Sequence, residues 1–315
     1  MRVSIVIPAH NEEDAIGNAI ESCLAQIRRP DEIIVVNDGS KDRTRQIVGK
    51  ICELNPAVKL INYDSGHSAA FARNRGAEKA SGDIVVFFDA DHVIPKETVS
   101  EIMRSFEAGA DAVSYRVVTK PESFIQKCFH ANQVSFARKF YGLSEKPSAE
   151  VAVESPSMPA PFCFRKNVFE DAGRYDEKIF YFEDRVILGK LLAAGRKIIY
   201  NPQALVYHQD PRDFGEFMRQ VRFIGNGLAT YDNTKEKTKI ILPGLLWYAI
   251  AASLVLSIYH PLLLSIALAF FVAFIYETIV RAYYSRDIVH SVGYMILLSF
   301  RGLILTAYYL RSILT

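Results

Sequence analysis

Short, wholly apolar runs alternate with longer amphipathic segments at the start of the chain, and this alternation constrains the fold more than any other feature. The runs occupy residues 3–7, 32–36, 58–61 and 84–88. Runs of this length that are rich in Val and Ile are typical of strands buried on both faces. Apolar residues at helical spacing predict helices between them, at residues 11–26, 42–54 and 69–80. The pattern predicts an α/β domain with a mostly parallel sheet.

Polar clusters follow three of these predicted strands. Residues 8–12 read Pro-Ala-His-Asn-Glu, residues 37–40 read Asn-Asp-Gly-Ser, and residues 89–91 read Asp-Ala-Asp. The carboxyl ends of parallel strands lie at one edge of a sheet, where α/β proteins bind ligands. We therefore expect the three clusters to line one crevice.

The composition changes sharply near residue 235. Residues 240–259 and 261–280 are two apolar runs, each long enough to cross about 30 Å of hydrocarbon. A third run, 292–310, is interrupted by Arg301, so it either spans the membrane or lies in its interface. We expect a soluble domain over residues 1–234 and a membrane domain with two to three transmembrane helices over residues 235–315.

The charges that flank the apolar runs predict their orientation. Lys235, Lys237 and Lys239 precede the first run, and Arg281 and Arg286 follow the second, whereas the join between them has no Lys or Arg. By the positive-inside bias both flanks face the cytoplasm and the two runs form a hairpin. The apolar run near the N-terminus is too short for a secretory signal peptide. The sequence predicts a multi-pass cell-membrane protein with a cytoplasmic soluble domain.

Charge and cysteine content exclude some classes of protein. The net charge is +2, which gives no basis for nucleic-acid binding. The four cysteines, Cys23, Cys52, Cys128 and Cys163, are scattered without a close pair. A metal finger or a disulfide framework needs tighter spacing, so we expect buried thiols in a reducing compartment.

Residues 123–141 carry aromatic residues at roughly helical spacing with Lys and Arg among them. A helix packed in a protein core is one interpretation. The other is a helix in the membrane surface, with its aromatic side chains at the acyl boundary and its cations at the headgroups.

Asp89 and Asp91 directly follow an apolar run. Two carboxylates at this spacing suit a hard divalent cation, which prefers oxygen ligands and completes its shell with diphosphate oxygens. Such an ion would neutralise charge on a departing nucleoside diphosphate. The alternative is a solvated turn.

Asp38 and Asp184 are the other acidic candidates. Asp38 lies where a base or ribose would bind, although its cluster could be only a turn that closes the strand. Asp184 follows Glu183 and precedes an amphipathic segment. It is the candidate general base for an acceptor hydroxyl, and it could also be a helix N-cap.

Two basic residues near the end of the predicted soluble domain are less specific. Arg222, within residues 220–223 (Gln-Val-Arg-Phe), could contact a donor diphosphate or an acceptor phosphate, or be a plain juxtamembrane cation. His208 follows the predicted strand 204–207, and a structural histidine is the favoured interpretation.

The motifs together resemble family-2 glycosyltransferases over about residues 1–230. The resemblance is carried by several motifs in the family's order, at residues 3–12, 34–40, 72–76, 81–83, 88–91, 173–176, 183–184 and 206–208. It implies a GT-A fold (Rossmann-like, with a mostly parallel sheet), a nucleotide-sugar donor, Mg²⁺ or Mn²⁺, and inversion at the anomeric carbon.

The resemblance also implies a role for individual residues. Asp184 would be the base, and Asp89 and Asp91 would hold the metal and, with Ala90 between them, the ribose and diphosphate. Arg73 and Arg116 would contact the diphosphate. The residues that would line the nucleoside site are Pro8, His10, Glu12 and Asp38.

A soluble domain followed by C-terminal spans is similar to the polyprenyl-phosphate sugar synthases of this family. It implies a UDP- or GDP-sugar donor and a lipid-linked acceptor, a polyprenyl phosphate or a glycolipid. Those enzymes usually have Leu-Gln where this chain has His92-Val93. The alternatives are a processive polysaccharide synthase, because residues 220–223 resemble its Gln-x-x-Arg-Trp element, a nucleotidyltransferase, or a non-catalytic membrane protein.

Overall fold

The structure is a computed structural model that describes residues 1–119, 121–141, 149–154, 162–179, 183–208, 211–228, 248–250, 252–253 and 262–314. It divides into two compact units. The first, here called the sheet unit, comprises Met1–Val118 and Pro147–Gln209. The second, the helical unit, comprises Thr119–Lys146 and Asp210–Thr315. The domain boundary expected at residue 234 lies outside the described residues.

Among the described residues, one sheet of eight strands forms the centre of the sheet unit. The strands are β1 (Val3–Ala9), β2 (Glu32–Asp38), β3 (Val58–Tyr63), β4 (Ile84–Phe87), β5 (Ala112–Thr119), β6 (Val151–Ala152), β7 (Cys163–Arg165) and β8 (Ile198–His208). Their order across the sheet is β3-β2-β1-β4-β7-β5-β8-β6. The four strands expected from the apolar runs are all present.

The sheet is mixed. β1 is parallel to β2 and β4, and β2 is parallel to β3, as expected for strands joined by helices. β7 is antiparallel to both β4 and β5, and β6 is antiparallel to β8. The parallel half therefore presents the ends of β1, β2 and β4 at one edge, while the other half follows no βαβ pattern.

Six helices belong to the sheet unit and four of the described helices to the helical unit. The first set is α1 (Ile16–Leu24), α2 (Thr44–Leu54), α3 (Ala69–Lys79), α4 (Thr98–Glu107), α6 (Lys166–Asp171) and α7 (Glu183–Ala193). The second set is α5 (Phe124–Tyr141), α8 (Phe214–Leu228), α9 (Leu262–Ser285) and α10 (Ile288–Leu314).

Helices cover both faces of the parallel half of the sheet. Ile16, Ile20 and Cys23 of α1 belong to one buried apolar cluster with side chains of β1, β2 and β4. On the other face α3 approaches closely, because a Cβ on Gly76 would lie 2.2 Å from Val6 Cγ1. This close contact requires glycine, and the coverage explains why the strands are apolar throughout.

Helix α1 begins five residues later than the predicted start at Asn11. Asn11 has a φ of 58°, which is incompatible with a helical turn at that point. The backbone carbonyl of Glu12 accepts from the N–H groups of Ala15 and Ile16, which starts the helix. The segment before α1 is thereby left as a loop beyond the end of β1.

The helical unit contains much of the predicted membrane domain. Helix α5 packs against α9 and α10, and Cys128 and Ala131 on α5 are buried, as a core-packed helix requires. In the part of the chain that the structure describes, one helical stretch, Ile288–Ala307, is long and apolar enough to cross a membrane. Apart from five helical residues, the predicted span 240–259 lies outside the described residues, and the span 261–280 falls largely on α9.

Candidate active site

Acidic side chains from separate strands come close together beyond the carboxyl ends of the parallel strands. Glu12 follows β1, and Asp89 and Asp91 follow β4. Burial raises the pKa of Glu12 to about 7, and the negative charges of Asp91 and Asp89 contribute to the increase. The interaction of these three carboxyl groups indicates that the clusters after β1 and β4 share one crevice, as expected.

Asp91, His92 and His208 form a group that could hold a metal ion. One ligand atom from each lies within 4.8 Å of the others, and Asp91 Oδ2 is 3.1 Å from His208 Nε2. The end of β8 brings His208 into place, because Val93 and Tyr207 exchange backbone hydrogen bonds of 2.9 Å.

The chemistry of this group fits a divalent transition ion. Carboxylate and imidazole ligands together suit Mn²⁺ better than Mg²⁺, which prefers oxygen ligands alone. Burial lowers the pKa of His92, which favours the neutral imidazole that a metal requires. Sequence analysis identified Asp91 but gave no role to His92 and favoured a structural role for His208.

Asp89, the other predicted metal ligand, is bound by Arg73 instead. Arg73 Nη2 donates to Asp89 Oδ1 at 2.6 Å, and Arg73 Nη1 donates to Glu183 Oε1 at 2.5 Å. The guanidinium lies 5.6 Å and 5.7 Å from the ring centres of Phe162 and Tyr175. Burial alone would raise the pKa of Asp89, but the charge of Arg73 lowers it well below its usual range. Asp89 is therefore an ionised carboxylate with a fixed cationic partner.

Asp184 lies in the first turn of α7, beside Glu183. Its Oδ1 accepts from the backbone N–H of Arg185 at 2.9 Å. Burial raises the pKa of Asp184, against the opposing charges of Arg185 and Arg73. A carboxyl group whose pKa is raised towards neutrality accepts a proton more readily, as a general base must. Its position inside the helix differs from the N-cap position that the sequence also allowed.

Asp38 and His10 come together at the end of β2, as expected for a nucleoside site. His10 Nδ1 lies 2.6 Å from the backbone carbonyl oxygen of Asp38. Both carboxylate oxygens of Asp38 contact His67, at 2.8 Å from its backbone N–H and 2.8 Å from its Nδ1. The His67 ring stacks on Phe71 with ring centres 4.0 Å apart. His67 and Phe71 were not identified from the sequence, because they belong to no polar cluster at a strand end.

The remaining predicted site residues are dispersed. Pro8 lies in β1 opposite Val36, and Ala90 is buried between the two aspartates. Arg116 is half-buried on β5, and its charge opposes the effect of burial on the pKa of Tyr200. Arg222 is exposed on α8 and belongs to the helical unit.

Comparison with known families is decisive for classification. Residues 84–309 match the family described as glycosyl transferase family group 2, and residues 4–158 match glycosyl transferase family 2. The chain belongs to glycosyltransferase family 2. It is therefore an enzyme that transfers sugars, which confirms the resemblance seen in the motifs.

Two curated relatives illustrate the range of this glycosyltransferase family. The probable glycosyltransferase YdaM of Bacillus subtilis is 28% identical over 230 residues, which cover 70% of this chain and 53% of that protein. The glucosyl-dolichyl phosphate glucuronosyltransferase of Haloferax volcanii is 25% identical over 223 residues, 66% of this chain and 69% of that protein. The glycosyltransferase studied here thus spans about half the length of the first relative.

A solved structure confirms the fold. The mannosyltransferase PcManGT from Pyrobaculum calidifontis, in complex with GDP-Man and Mn²⁺, superposes with a TM-score of 0.60 at 20% identity. The match covers 96% of this chain and 87% of that one. The GT-A fold expected from the resemblance is thereby confirmed, with a mixed rather than purely parallel sheet.

Proposed function

We propose that this glycosyltransferase moves a sugar, with inversion at the anomeric carbon, from a UDP- or GDP-sugar to a lipid-linked acceptor at the cytoplasmic face of a membrane. The observation that carries the proposal is the group formed by Asp91, His92 and His208, close to the carboxyl group of Glu12. A cation site at this edge of an α/β sheet lies where such folds bind nucleotides.

In this proposal Asp91, His92 and His208 hold the divalent cation, with Mn²⁺ favoured over Mg²⁺. When bound, the cation neutralises the charge that develops on the departing nucleoside diphosphate. His10 and Asp38, with the ring of His67, form the nucleoside end of the site. Aromatic faces such as that of His67 bind bases by stacking.

Asp184 takes the proton from the acceptor as the acceptor oxygen attacks the anomeric carbon. A hydroxyl acceptor needs this step, because its proton must be removed at neutral pH. A phosphate monoester does not, since its second pKa of about 6 leaves the attacking oxygen already ionised. The raised pKa of Asp184 therefore favours a glycolipid hydroxyl over a polyprenyl phosphate.

One relative is compatible with this choice of acceptor. The Haloferax volcanii protein is named for a glucosyl-dolichyl phosphate, a lipid that already carries a sugar. A sugar on a lipid carrier presents hydroxyl groups, the acceptor chemistry that Asp184 suits.

Apolar surface in the helical unit supports a membrane location. Large apolar side chains are exposed along α9 and α10, at Leu268, Phe271, Val272, Ile275, Tyr276, Ile279, Val289, Val292, Ile296 and Phe300. A continuous apolar surface of this kind marks an interaction site, and two long apolar helices suit a bilayer. The multi-pass, cytoplasm-facing arrangement follows from the Lys and Arg residues that flank the apolar runs.

The test uses the full-length protein in lipid nanodiscs with Mn²⁺. A panel of UDP- and GDP-sugars is screened for nucleoside diphosphate release, with polyprenyl phosphate or glucosyl-polyprenyl phosphate as the acceptor. We expect one donor to support transfer of a single sugar to the glycosylated lipid, detected by mass spectrometry. Transfer only to the polyprenyl phosphate would contradict the hydroxyl acceptor, and a ladder of products would indicate a processive enzyme. No release from any donor would contradict the proposed function itself.

A further inference from the structure

Arg73 is a buried cation that connects two parts of the active site. Its side chain is 6% exposed, and its two terminal nitrogens bind carboxylates from separate segments, Asp89 after β4 and Glu183 at the start of α7. The rings of Phe162 and Tyr175 lie close to the guanidinium. A charged group is found this deeply buried only when its partners compensate for the loss of water.

The two carboxylates belong to segments with different tasks. Asp89 precedes the cation group by two residues, and Glu183 directly precedes the candidate base Asp184. Because Glu183 and Asp184 share a peptide bond in the first turn of α7, movement of Glu183 displaces Asp184. The position of the base relative to the donor thus depends on the contacts that Glu183 makes.

We infer that Arg73 is a positioning residue, which holds Glu183 and Asp89 at a fixed separation and thereby places Asp184 relative to the donor. This inference rests on the proposed function. The planar guanidinium fork has two donor nitrogens in a rigid arrangement, so it can bind both carboxylates at once. The compact ammonium of Lys at this position can bind one of them at full strength.

The inference differs from the direct diphosphate contact that the family resemblance implied for Arg73. A diphosphate contact strengthens donor binding, so its loss raises the donor Kd. A positioning contact leaves donor binding in place and lowers kcat, because the base is displaced from the acceptor hydroxyl. Displacement of a catalytic group by about 1 Å lowers the rate by about 10²-fold.

Arg75 provides a matched control on the same helix. It also binds two carboxylates, Glu78 and Glu177, each at 2.7 Å, but neither carboxylate adjoins a predicted catalytic residue. Arg75→Met removes the same charge and a comparable pair of contacts from α3. It should leave kcat and the donor Kd within about 3-fold of the wild type, as expected for partly exposed ion pairs.

The experiment compares Arg73→Met, Arg73→Lys, Glu183→Gln and Arg75→Met in the full-length protein. Donor Kd is measured by isothermal titration with Mn²⁺, and kcat is measured with saturating donor and acceptor. We expect Arg73→Met and Glu183→Gln to lower kcat by about 10²-fold with donor Kd within about 3-fold. Arg73→Lys should restore part of the rate. The double variant should lose little more than either single variant, because both act through one contact.

Several outcomes would overturn the inference. They are a wild-type kcat in Arg73→Met or in Glu183→Gln, or a rise in donor Kd at unchanged kcat. If Arg73→Met does not fold, as judged by thermal melting, Arg73→Lys and Glu183→Gln decide by the same criteria. A wild-type enzyme that releases no nucleoside diphosphate from any donor would contradict the proposed function, which is a distinct result.

Discussion

Glu32 contributes stability to the sheet unit that should depend on pH in a defined direction. The residue begins β2, and its buried carboxylate accepts hydrogen bonds from Ser4 Oγ at 2.7 Å and from Ser81 N–H and Oγ at 2.6 Å and 2.8 Å. Lys59 Nζ lies 2.6 Å from its other oxygen. Burial alone would raise the pKa of Glu32, but the hydrogen bonds from Lys59, Ser4 and Ser81 lower it from 4.5 to about 2.

The magnitude follows from the linkage between pKa and stability. A fall in pKa from 4.5 to about 2 corresponds to roughly 3 kcal/mol of unfolding free energy at neutral pH. Lys59 is 56% exposed, and solvent screening reduces the expected figure to about 2 kcal/mol. Because the folded-state pKa is lowered, this contribution is complete above the unfolded-state pKa and is lost as the pH falls towards 2. It should drop to less than about half by pH 3.

Glu32→Gln tests this reasoning. The amide keeps the shape of the side chain but directs an N–H₂ group towards a donor, either Lys59 or Ser81. Hydrogen exchange of the β1 and β2 amides measures the opening free energy of the sheet unit locally. We expect a loss of about 2 kcal/mol at pH 7 that shrinks as the pH falls, and no comparable loss for the exposed control Glu53→Gln. A variant as stable as the wild type at pH 7, or a loss unchanged at pH 3, would refute the argument.

Three further predictions concern catalysis and membrane binding. Asp184→Asn should lower kcat on a hydroxyl acceptor by about 10²–10⁴-fold with donor Kd unchanged, by titration calorimetry; a normal kcat would exclude Asp184 as the base. The wild-type kcat should rise with pH to a midpoint above the ordinary aspartate pKa of about 3.9, because the raised pKa of Asp184 delays its ionisation; a flat profile would contradict this. Replacing Leu268 and Tyr276 on α9 with Asp should weaken binding to lipid vesicles in flotation assays, whereas the same change at exposed Leu54 should not.

The parallel half of the sheet could be predicted from the sequence because each of its strands is a continuous apolar run. β7 could not, since three residues, Cys163–Arg165, carry no recognisable period. Its antiparallel pairing with β4 depends on contacts distant in the sequence. The late start of α1 could not be predicted either, because the left-handed backbone of Asn11 leaves little trace in the residue pattern.

The candidate site shows the same division. Asp89, Asp91 and Asp38 were identified because they follow predicted strands, and the structure places all three at strand ends. The contact of Arg73 with Glu183 joins residues 110 positions apart. The approach of His208 to Asp91 likewise depends on β8 lying beside the segment after β4. Such pairings are set by the fold, so a single sequence could supply the residue types but not the partners.

The most direct test of the central claim is the binding of Mn²⁺ itself, followed by the electron paramagnetic resonance signal of the free ion. The full-length protein is titrated with Mn²⁺ in the presence of UDP or GDP, in parallel with Asp91→Ala, His208→Ala and the exposed control Asp14→Ala. We expect one bound Mn²⁺ per chain in the wild type and the control, and affinity reduced at least about 10-fold in the other two variants. Wild-type affinity in Asp91→Ala and His208→Ala would contradict a cation site formed by these residues.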